Sequence, residues 1–199
     1  MRAVDEAKRM CINDEFERAN RHVYDKMTEM INSKIFYQNS IELLPAYFIL
    51  AEANIGLGGA RLKKAEEFLI AAYWNLLKIT QDEGGKGGGN EDSLVDDKEL
   101  DRFQANLHKT FGRLFMAQNR PNAAKQALNE LTQGIYQECT EHGPESIYLC
   151  SSYYYMGELF QKEGASSIGK AKAFFHKIIQ IWKKFIIEKD LDPMVDYQI

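Results

Sequence analysis

The fold of this chain is decided by residues 111–131, which read FGRLFMAQNRPNAAKQALNEL. Bulky residues surround Gly112, a turn follows at Asn119-Arg120-Pro121, and Ala124 then opens a second run of apolar residues. Apolar residues spaced by three and four predict amphipathic helices, and the Pro-containing polar stretch predicts the turn between them. The segment therefore predicts two antiparallel helices that come closest at Gly112 and Ala124, where larger side chains would force them apart.

The same pattern occurs twice more in the sequence. Ala51 is followed by Ala65 in the first copy, and Gly157 by Ala171 in the third. The two small residues are 12 positions apart in the middle copy and 14 in the others, which predicts a longer turn in those two. Helix pairs that repeat along a chain are typical of an α-solenoid. We therefore predict an all-α array of antiparallel helix pairs that resembles the tetratricopeptide repeat (TPR).

A length of 199 residues fits a single domain, 1–199. The periodic segments and the polar stretches between them divide it into successive units. We place a degenerate first-repeat helix at 14–38, repeat 1 at 43–80, an acidic loop at 81–99, repeat 2 at 103–139, repeat 3 at 145–189 and a tail at 190–199.

The predicted loop 81–99 carries most of the unusual composition of the chain. It holds five of the fourteen glycines, seven acidic residues and two lysines, and almost nothing apolar. Such a stretch cannot bury a core, so we predict a flexible, solvated loop. Its net charge is −5, so the remaining residues together carry +1 of the total −4. The acidic balance therefore belongs to one loop and says little about partners of the folded body.

Composition also bears on location and partners. No run of about 18 uncharged apolar residues exists, so we expect no membrane span. The first residues lack the apolar core of a secretory signal, and three scattered cysteines make no disulfide framework, so a cytoplasmic location is expected. The overall charge gives no basic patch typical of proteins that bind nucleic acid, and we expect no such partner.

Catalytic and metal-binding motifs are not evident. Cys139, His142 and Cys150 lack the fourth ligand that structural zinc requires, so we interpret the thiols as structural. The glycines of 84–89 surround Lys86, but no Ser or Thr follows it and no strand precedes it, as a phosphate-binding loop requires. The other histidines have no identifiable nucleophile nearby. We expect no metal, no cofactor and no enzymatic activity.

A repeat array offers a concave groove lined by the first helix of each pair. The TPR pattern places groove positions three before, one after and four after the small residue, and the mixture contains no paired basic clamp for a peptide carboxylate. The alternative is that these positions are ordinary solvated ones. The groove candidates are Phe48, Glu52, Ile55, Lys109, Arg113, Met116, Tyr154, Glu158 and Gln161.

The last predicted helix has an unusually broad apolar surface. At 100° per residue, its apolar side chains between Phe174 and Ile187 cover an arc of about 160°, whereas a surface helix needs about 100°. A terminal repeat usually has a polar outer face. We therefore predict that this end stacks on another protein or on itself; the alternative is that the tail 191–199 folds back over it. The binding candidates there are Phe175, Ile179, Trp182 and Ile186.

One stretch goes beyond a generic repeat. Residues 42–58 read ELLPAYFILAEANIGLG, and AEEFL at 65–69 and Trp74-x2-Leu77-Lys78 follow. This segment resembles the first clear repeat of the zinc-finger MYND-domain-containing protein 12 family, and the resemblance extends over roughly residues 40 to 190. The scattered cysteines cannot build the zinc finger that names that family, so no metal is carried over.

The resemblance implies a place in the axoneme of motile cilia. Members of the family work with tetratricopeptide repeat protein 29 at a single-headed inner dynein arm on the doublet microtubule, and the family has no catalytic residues to transfer. We therefore expect a non-catalytic scaffold whose partners are a tetratricopeptide repeat protein 29-like subunit, inner-arm dynein and, as a further candidate, tubulin of the doublet. The alternative is a soluble TPR peptide-groove adaptor of the co-chaperone or cargo-adaptor type.

Overall fold

The computed structural model describes residues 2–84, 96–118 and 120–191. Within these ranges the chain forms eight α-helices and three short 3₁₀ turns, with no strand, which confirms the all-α prediction for this part. None of the described helices is long and apolar enough to cross a bilayer. The helices are α1 Arg2–Ile12, α2 Phe16–Asn32, α3 Leu44–Leu57, α4 Arg61–Gly84, α5 Asp97–Ala117, α6 Ala123–His142, α7 Cys150–Lys162 and α8 Ile168–Leu191.

The helices pack in the order in which they occur in the chain. Each helix contacts the next, and α1, α3, α5 and α7 also contact one another in succession. Helix α3 lies at the centre, and nine of its fourteen residues are buried. A helix that is apolar all round is one that neighbours cover on every side. This packing is compatible with a helical repeat.

The helix predicted at 14–38 as the second helix of a degenerate first repeat is shorter in the structure than predicted. Helix α2 covers only Phe16–Asn32, and α1, which the sequence reasoning did not predict, precedes it. Asp14 and Lys34 adopt φ values of 60° and 55°, in the left-handed region that a right-handed helix cannot contain. These two residues therefore set the limits of α2, and the first unit contains two helices.

The predicted acidic loop is too long at both ends. Helix α4 continues to Gly84, and α5 begins at Asp97. The Asp96 side chain accepts a hydrogen bond from the backbone N–H of Lys98 at 3.3 Å, so it caps α5. Asp97 and Glu99 lie in the first turn, where the helix dipole favours negative charge. Residues 85–95 of the predicted loop lie outside the described residues.

The boundaries of the later repeats also differ from the predicted ones. Helix α5 begins before 103 and α6 continues past 139 to His142. Helix α8 extends to Leu191, so the first part of the predicted tail is helical. Residues 192–199 of that tail, and Asn119 in the predicted turn, lie outside the described residues.

The small residues mark close approaches between helices, as predicted. A Cβ atom added at Gly112 would lie 2.6 Å from Leu131 Cγ, and one at Gly157 would lie 2.6 Å from Phe175 Cε1. Both distances are shorter than a carbon–carbon contact allows. In the first copy the small residues Ala51 and Ala65 are fully buried.

The predicted role of Ala124 is wrong. Ala124 is exposed, and the fully buried Ala127 takes the place that Ala65 and Ala171 have in the other copies. Asn122 adopts φ 64° in the turn, so α6 begins only at Ala123. The middle copy therefore does not have the shorter turn that the 12-residue spacing suggested, because its second helix uses an alanine three positions later.

Candidate protein-binding surfaces

A groove with a volume of about 900 Å³ extends across α1, α3, α5 and α7. Side chains of α1, α3, α5 and α7 line it, together with the end of α6. Charges of both signs face it. The charged lining residues are Lys8, Asp14, Glu52, Arg102, Lys109, Arg113, Glu138 and Glu141.

Arg113 connects three helices across this groove. Its guanidinium forms an ion pair with Glu52 of α3 at 2.9 Å, and it lies 4.8 Å from the centre of the Tyr155 ring of α7. A guanidinium suits both contacts, because it pairs with carboxylates and stacks on aromatic faces. Arg113, predicted as a groove residue for a partner, therefore already binds groups of its own chain.

Two further basic side chains of the groove are also paired. Lys109 lies 3.2 Å from Glu138 of α6, and that carboxylate also accepts a hydrogen bond of 2.6 Å from the hydroxyl of Ser152 on α7. Arg102 lies 2.7 Å from Glu141. These contacts join successive helices, and they leave little free positive charge for a peptide carboxylate.

The structure brings some of the predicted groove residues together and leaves others outside. Phe48, Glu52, Lys109 and Arg113 line the groove. The candidates that do not line it are Ile55, Met116, Tyr154, Glu158 and Gln161.

Helix α7 turns a different face to the groove from the predicted one. Its lining residues are Ser151 and Tyr155, one helical turn apart. The Tyr154 ring instead lies 6.0 Å from the Phe175 ring, and its hydroxyl donates to Glu158 at 3.4 Å. The repeat spacing correctly predicted which turn of α7 lies at the groove, but the residues that face the groove there are Ser151 and Tyr155 rather than Tyr154 and Glu158.

Cys11 of α1 also lines the groove, and the sequence reasoning did not single it out. Burial and then the nearby Glu52 carboxylate raise the pKa of its thiol to about 11, against the opposing effect of Arg113. A thiol with so high a pKa stays protonated at neutral pH and is a poor nucleophile. The spacing of Val4, Ala7 and Cys11 by three and four is the sequence signal for α1 and for this position.

The outer face of α8 carries an exposed apolar stripe, which we define as Ile168, Phe175, Ile179, Trp182 and Ile186. Ile179, Trp182 and Ile186 are 64%, 43% and 51% exposed, whereas Phe175 is half-buried beneath Gly157. Residues at these positions fall on one side of a helix with 3.6 residues per turn. Three of the four predicted binding residues at this end are therefore accessible to a partner.

The face that α8 packs against α7 is a different one. Ala171, Phe174, Ile178 and Ile181 belong to the buried clusters that join the two helices. At 100° per residue, they lie about 100° around the helix from the stripe. Phe175 also packs against one of these clusters, so the stripe borders the core at Phe175 and continues over solvent at Ile179, Trp182 and Ile186.

A second cavity, with a volume of about 790 Å³, lies beside the stripe. The turn before α7 and the outer part of α8 form it, with Ile147, Tyr148, Trp182 and Phe185 in its lining. Glu145 at its rim lies 3.2 Å from Lys184 and 3.7 Å from Lys177. Hydrogen bonding and attraction to Lys184 lower the pKa of Glu145.

Helix α1 exposes mostly charged side chains. Five charged residues and the large apolar residue Ile12 are exposed, and Lys8 and Ile12 also line the groove. The charged residues are Arg2, Asp5, Glu6, Lys8 and Arg9. Among the described residues, α1 therefore exposes mostly charged side chains, whereas α8 exposes an apolar stripe.

No model of a known protein family matches this sequence. In the part of the chain that the structure describes, no three His, Cys, Asp or Glu side chains come together as a metal site would need.

Proposed function

We propose that this chain is a non-catalytic scaffold built of four TPR-like antiparallel helix pairs. The order of contacts between α5 and α6 supports the antiparallel arrangement. Arg102 meets Glu141, Lys109 meets Glu138, and Gly112 faces Leu131, so the numbers fall along α6 as they rise along α5. The buried alanines at 65, 127 and 171 support the repeat, since they follow the small residues of the first helices after nearly equal spacings.

The single observation that carries the scaffold proposal is the exposed apolar stripe of α8. Here α1 exposes charges, whereas α8 exposes Ile179, Trp182 and Ile186. Exposed apolar patches of this kind are typical of protein–protein interaction sites. The α8 end is therefore the surface by which the chain joins an assembly.

The assembly that we propose is the ciliary axoneme. The resemblance over residues 40 to 190 supports this place, where the chain would help to dock a single-headed inner dynein arm on the doublet microtubule. A tetratricopeptide repeat protein 29-like subunit and the dynein itself are the proposed partners, with tubulin as a further candidate. Protein contacts alone perform this role, and no cofactor takes part.

Cross-linking mass spectrometry on axonemes isolated from ciliated cells that express the tagged chain tests this proposal. We expect cross-links to inner-arm dynein, its docking proteins or tubulin. Ile179→Asp with Ile186→Asp should abolish retention of the chain in washed axonemes. Absence of all such cross-links, or full retention of this double variant, would contradict the proposal.

The groove of about 900 Å³ favours a second candidate, a peptide-groove adaptor. A matched variant separates the two. Ile12 and Ser151 line the groove and are exposed, so Ile12→Asp with Ser151→Arg alters the groove without disturbing the core. Loss of partner binding in this variant, with normal binding in the α8 variant, would favour the adaptor. Lys109 and Arg113 are unsuitable for this test, because their substitution breaks contacts between helices.

A further inference from the structure

The chain itself shows how a helix seats on the outer face of a preceding one. When Ala127 of α6 is aligned with Ala171 of α8, each residue of the α8 stripe has an equivalent position in α6. In this register Ile179, Trp182 and Ile186 correspond to Ile135, Glu138 and His142.

Those three α6 positions all contact the next unit. Ile135 packs against the cluster that contains Leu149 and Tyr153. Glu138 accepts the hydrogen bond from Ser152 of α7, and the His142 ring lies 4.7 Å from the ring of Tyr148 in the turn before α7. Ile179, Trp182 and Ile186 of the stripe thus occupy the positions by which α6 contacts α7 and the turn before it.

A comparison of α8 with α4 indicates which charge a helix packed on α8 should carry. In α4 the counterpart of Lys172 is Glu66, which accepts a hydrogen bond of 3.3 Å from Gln118 at the end of α5 and lies 3.8 Å from Arg120. Glu66 therefore faces a basic residue just past the end of the helix that seats on α4. Because Lys172 occupies the equivalent position in α8, a helix that packs there should carry an acidic residue where Arg120 follows the end of α5.

The lysines beside the stripe are available for such pairing. Lys172 and Lys183 are exposed, and neither forms an ion pair with any of the residues that the structure describes. At 100° per residue both lie within about 60° of Ile168 on the same side of the stripe. Glu188, which lies 4.0 Å from Lys184, falls on the far side of α8 from these two lysines.

We propose that the α8 stripe is the docking site for one amphipathic helix of a different protein, with an apolar face flanked by acidic side chains. The helix seats on α8 as α7 seats on α6. This inference rests on the proposed scaffold function and adds the chemistry of the partner. Interhelical contacts between apolar ridges supply the affinity, and Lys172 and Lys183 select the acidic flank.

A second copy of this chain does not fit that description. In a head-to-tail stack α1 would bring Arg2, Lys8 and Arg9 against the apolar stripe and its lysines, and both the burial of these charges and their repulsion disfavour the contact. In a tail-to-tail pair both stripes would offer lysines to each other without acidic partners, and like charges disfavour such an interface.

Two helical probes test the proposal on the full chain. Both are lactam-stapled peptides of 21 residues with Leu at heptad positions a and d; one carries Glu at e and g, and its twin carries Lys there. Fluorescence anisotropy of the labelled peptides gives the affinities. We expect the Glu peptide to bind about tenfold more tightly than the Lys twin at low salt. The difference should shrink at high salt, because exposed charges are screened.

Three variants locate the site. Ile179→Asp with Ile186→Asp should abolish binding of the Glu peptide, whereas Ile70→Asp, at a residue of α4 that is 44% exposed, should leave it unchanged. Lys172→Glu with Lys183→Glu should reverse the preference in favour of the Lys twin. Circular dichroism of each variant checks that the fold is retained.

Several results would overturn the inference. One is that neither peptide binds; another is that the two bind equally and the lysine variant changes nothing. Light scattering that shows a dimer which Ile179→Asp dissociates would make a second copy the occupant. The proposed scaffold function fails by a different result, namely axonemal retention that the α8 double variant does not affect.

Discussion

Arg113 on α5 and Glu52 on α3 form an ion pair of 2.9 Å, and their side chains are only 22% and 23% exposed. Both residues lie in the groove that the sequence marks as a candidate binding surface. The Arg113 guanidinium also lies 4.8 Å from the centre of the Tyr155 ring, so its contacts connect α5 to both α3 and α7. These contacts stabilise the packing of the three helices and leave Arg113 less available to bind a charged ligand.

Arg113→Ala should therefore lower the free energy of unfolding by about 2 kcal/mol, because it leaves a partly buried carboxylate without its partner. Urea denaturation followed by circular dichroism measures the change. A double-mutant cycle with Glu52→Gln should give a coupling energy of about 1 kcal/mol. The control is Lys26→Ala, which breaks the exposed Lys26–Glu29 pair and should change stability by less than about 0.5 kcal/mol. Equal effects at Lys26 and Arg113 would contradict this account.

Gly112→Ala should destabilise the protein by about 1–3 kcal/mol, although alanine favours helices, because its Cβ would overlap Leu131. Gly169→Ala is the matched control, since a Cβ there meets no atom within 4 Å. It should stabilise α8 by about 0.5–1 kcal/mol. Thermal or urea unfolding of the two variants shows whether each substitution raises or lowers the free energy of unfolding. Stabilisation by both substitutions would show that α5 and α6 are not in close contact at Gly112.

Asn54 is a buried polar residue that connects α3 to α2. It is fully buried, and its amide donates to Asn20 Oδ1 and to the Leu50 carbonyl, both at 2.7 Å. Asn54→Ala should lower the free energy of unfolding by about 1–3 kcal/mol, because it removes these bonds inside the core. Gln180→Ala, at an exposed position, should change it by less than about 0.5 kcal/mol. Comparable values for the two would rule out a structural role for Asn54.

The pKa of Cys11 predicts a pH profile for its modification. The thiolate reacts with iodoacetamide, so the alkylation rate of the folded protein should rise to a midpoint near pH 11, whereas in urea the midpoint should fall near the ordinary value of 9.0. Because the folded-state pKa is the higher one, the associated stability is present below pH 9 and is lost as the pH rises towards 11.

Glu52→Gln provides the control for this profile. It removes a negative neighbour and leaves Arg113 to lower the pKa of the thiol, so the midpoint should fall. Peptide-resolved mass spectrometry distinguishes Cys11 from Cys139 and Cys150. A midpoint at the ordinary value in the folded protein would show that Cys11 is exposed.

Much of the helical organisation is predictable because it depends on local patterns. Apolar spacing predicted α2 to α8, and the small residues predicted the close approaches at Gly112 and Gly157. Two errors were avoidable. Asp96 and Glu99 have the three-residue spacing of a helix N-terminus, and Val4, Ala7 and Cys11 have helical spacing. The high content of acidic and glycine residues around 81–99 obscured the first signal.

The sequence by itself therefore determined that the chain is helical, where most turns fall, and that α8 has more apolar surface than α7 can cover. The tertiary structure decided that Ala127 rather than Ala124 packs in the middle copy, that Arg113 binds Glu52, and that Ser151 and Tyr155 face the groove. The reason is physical. Periodicity fixes which residues share a face of one helix, but the rotation of each helix against its neighbours depends on side-chain packing between distant residues.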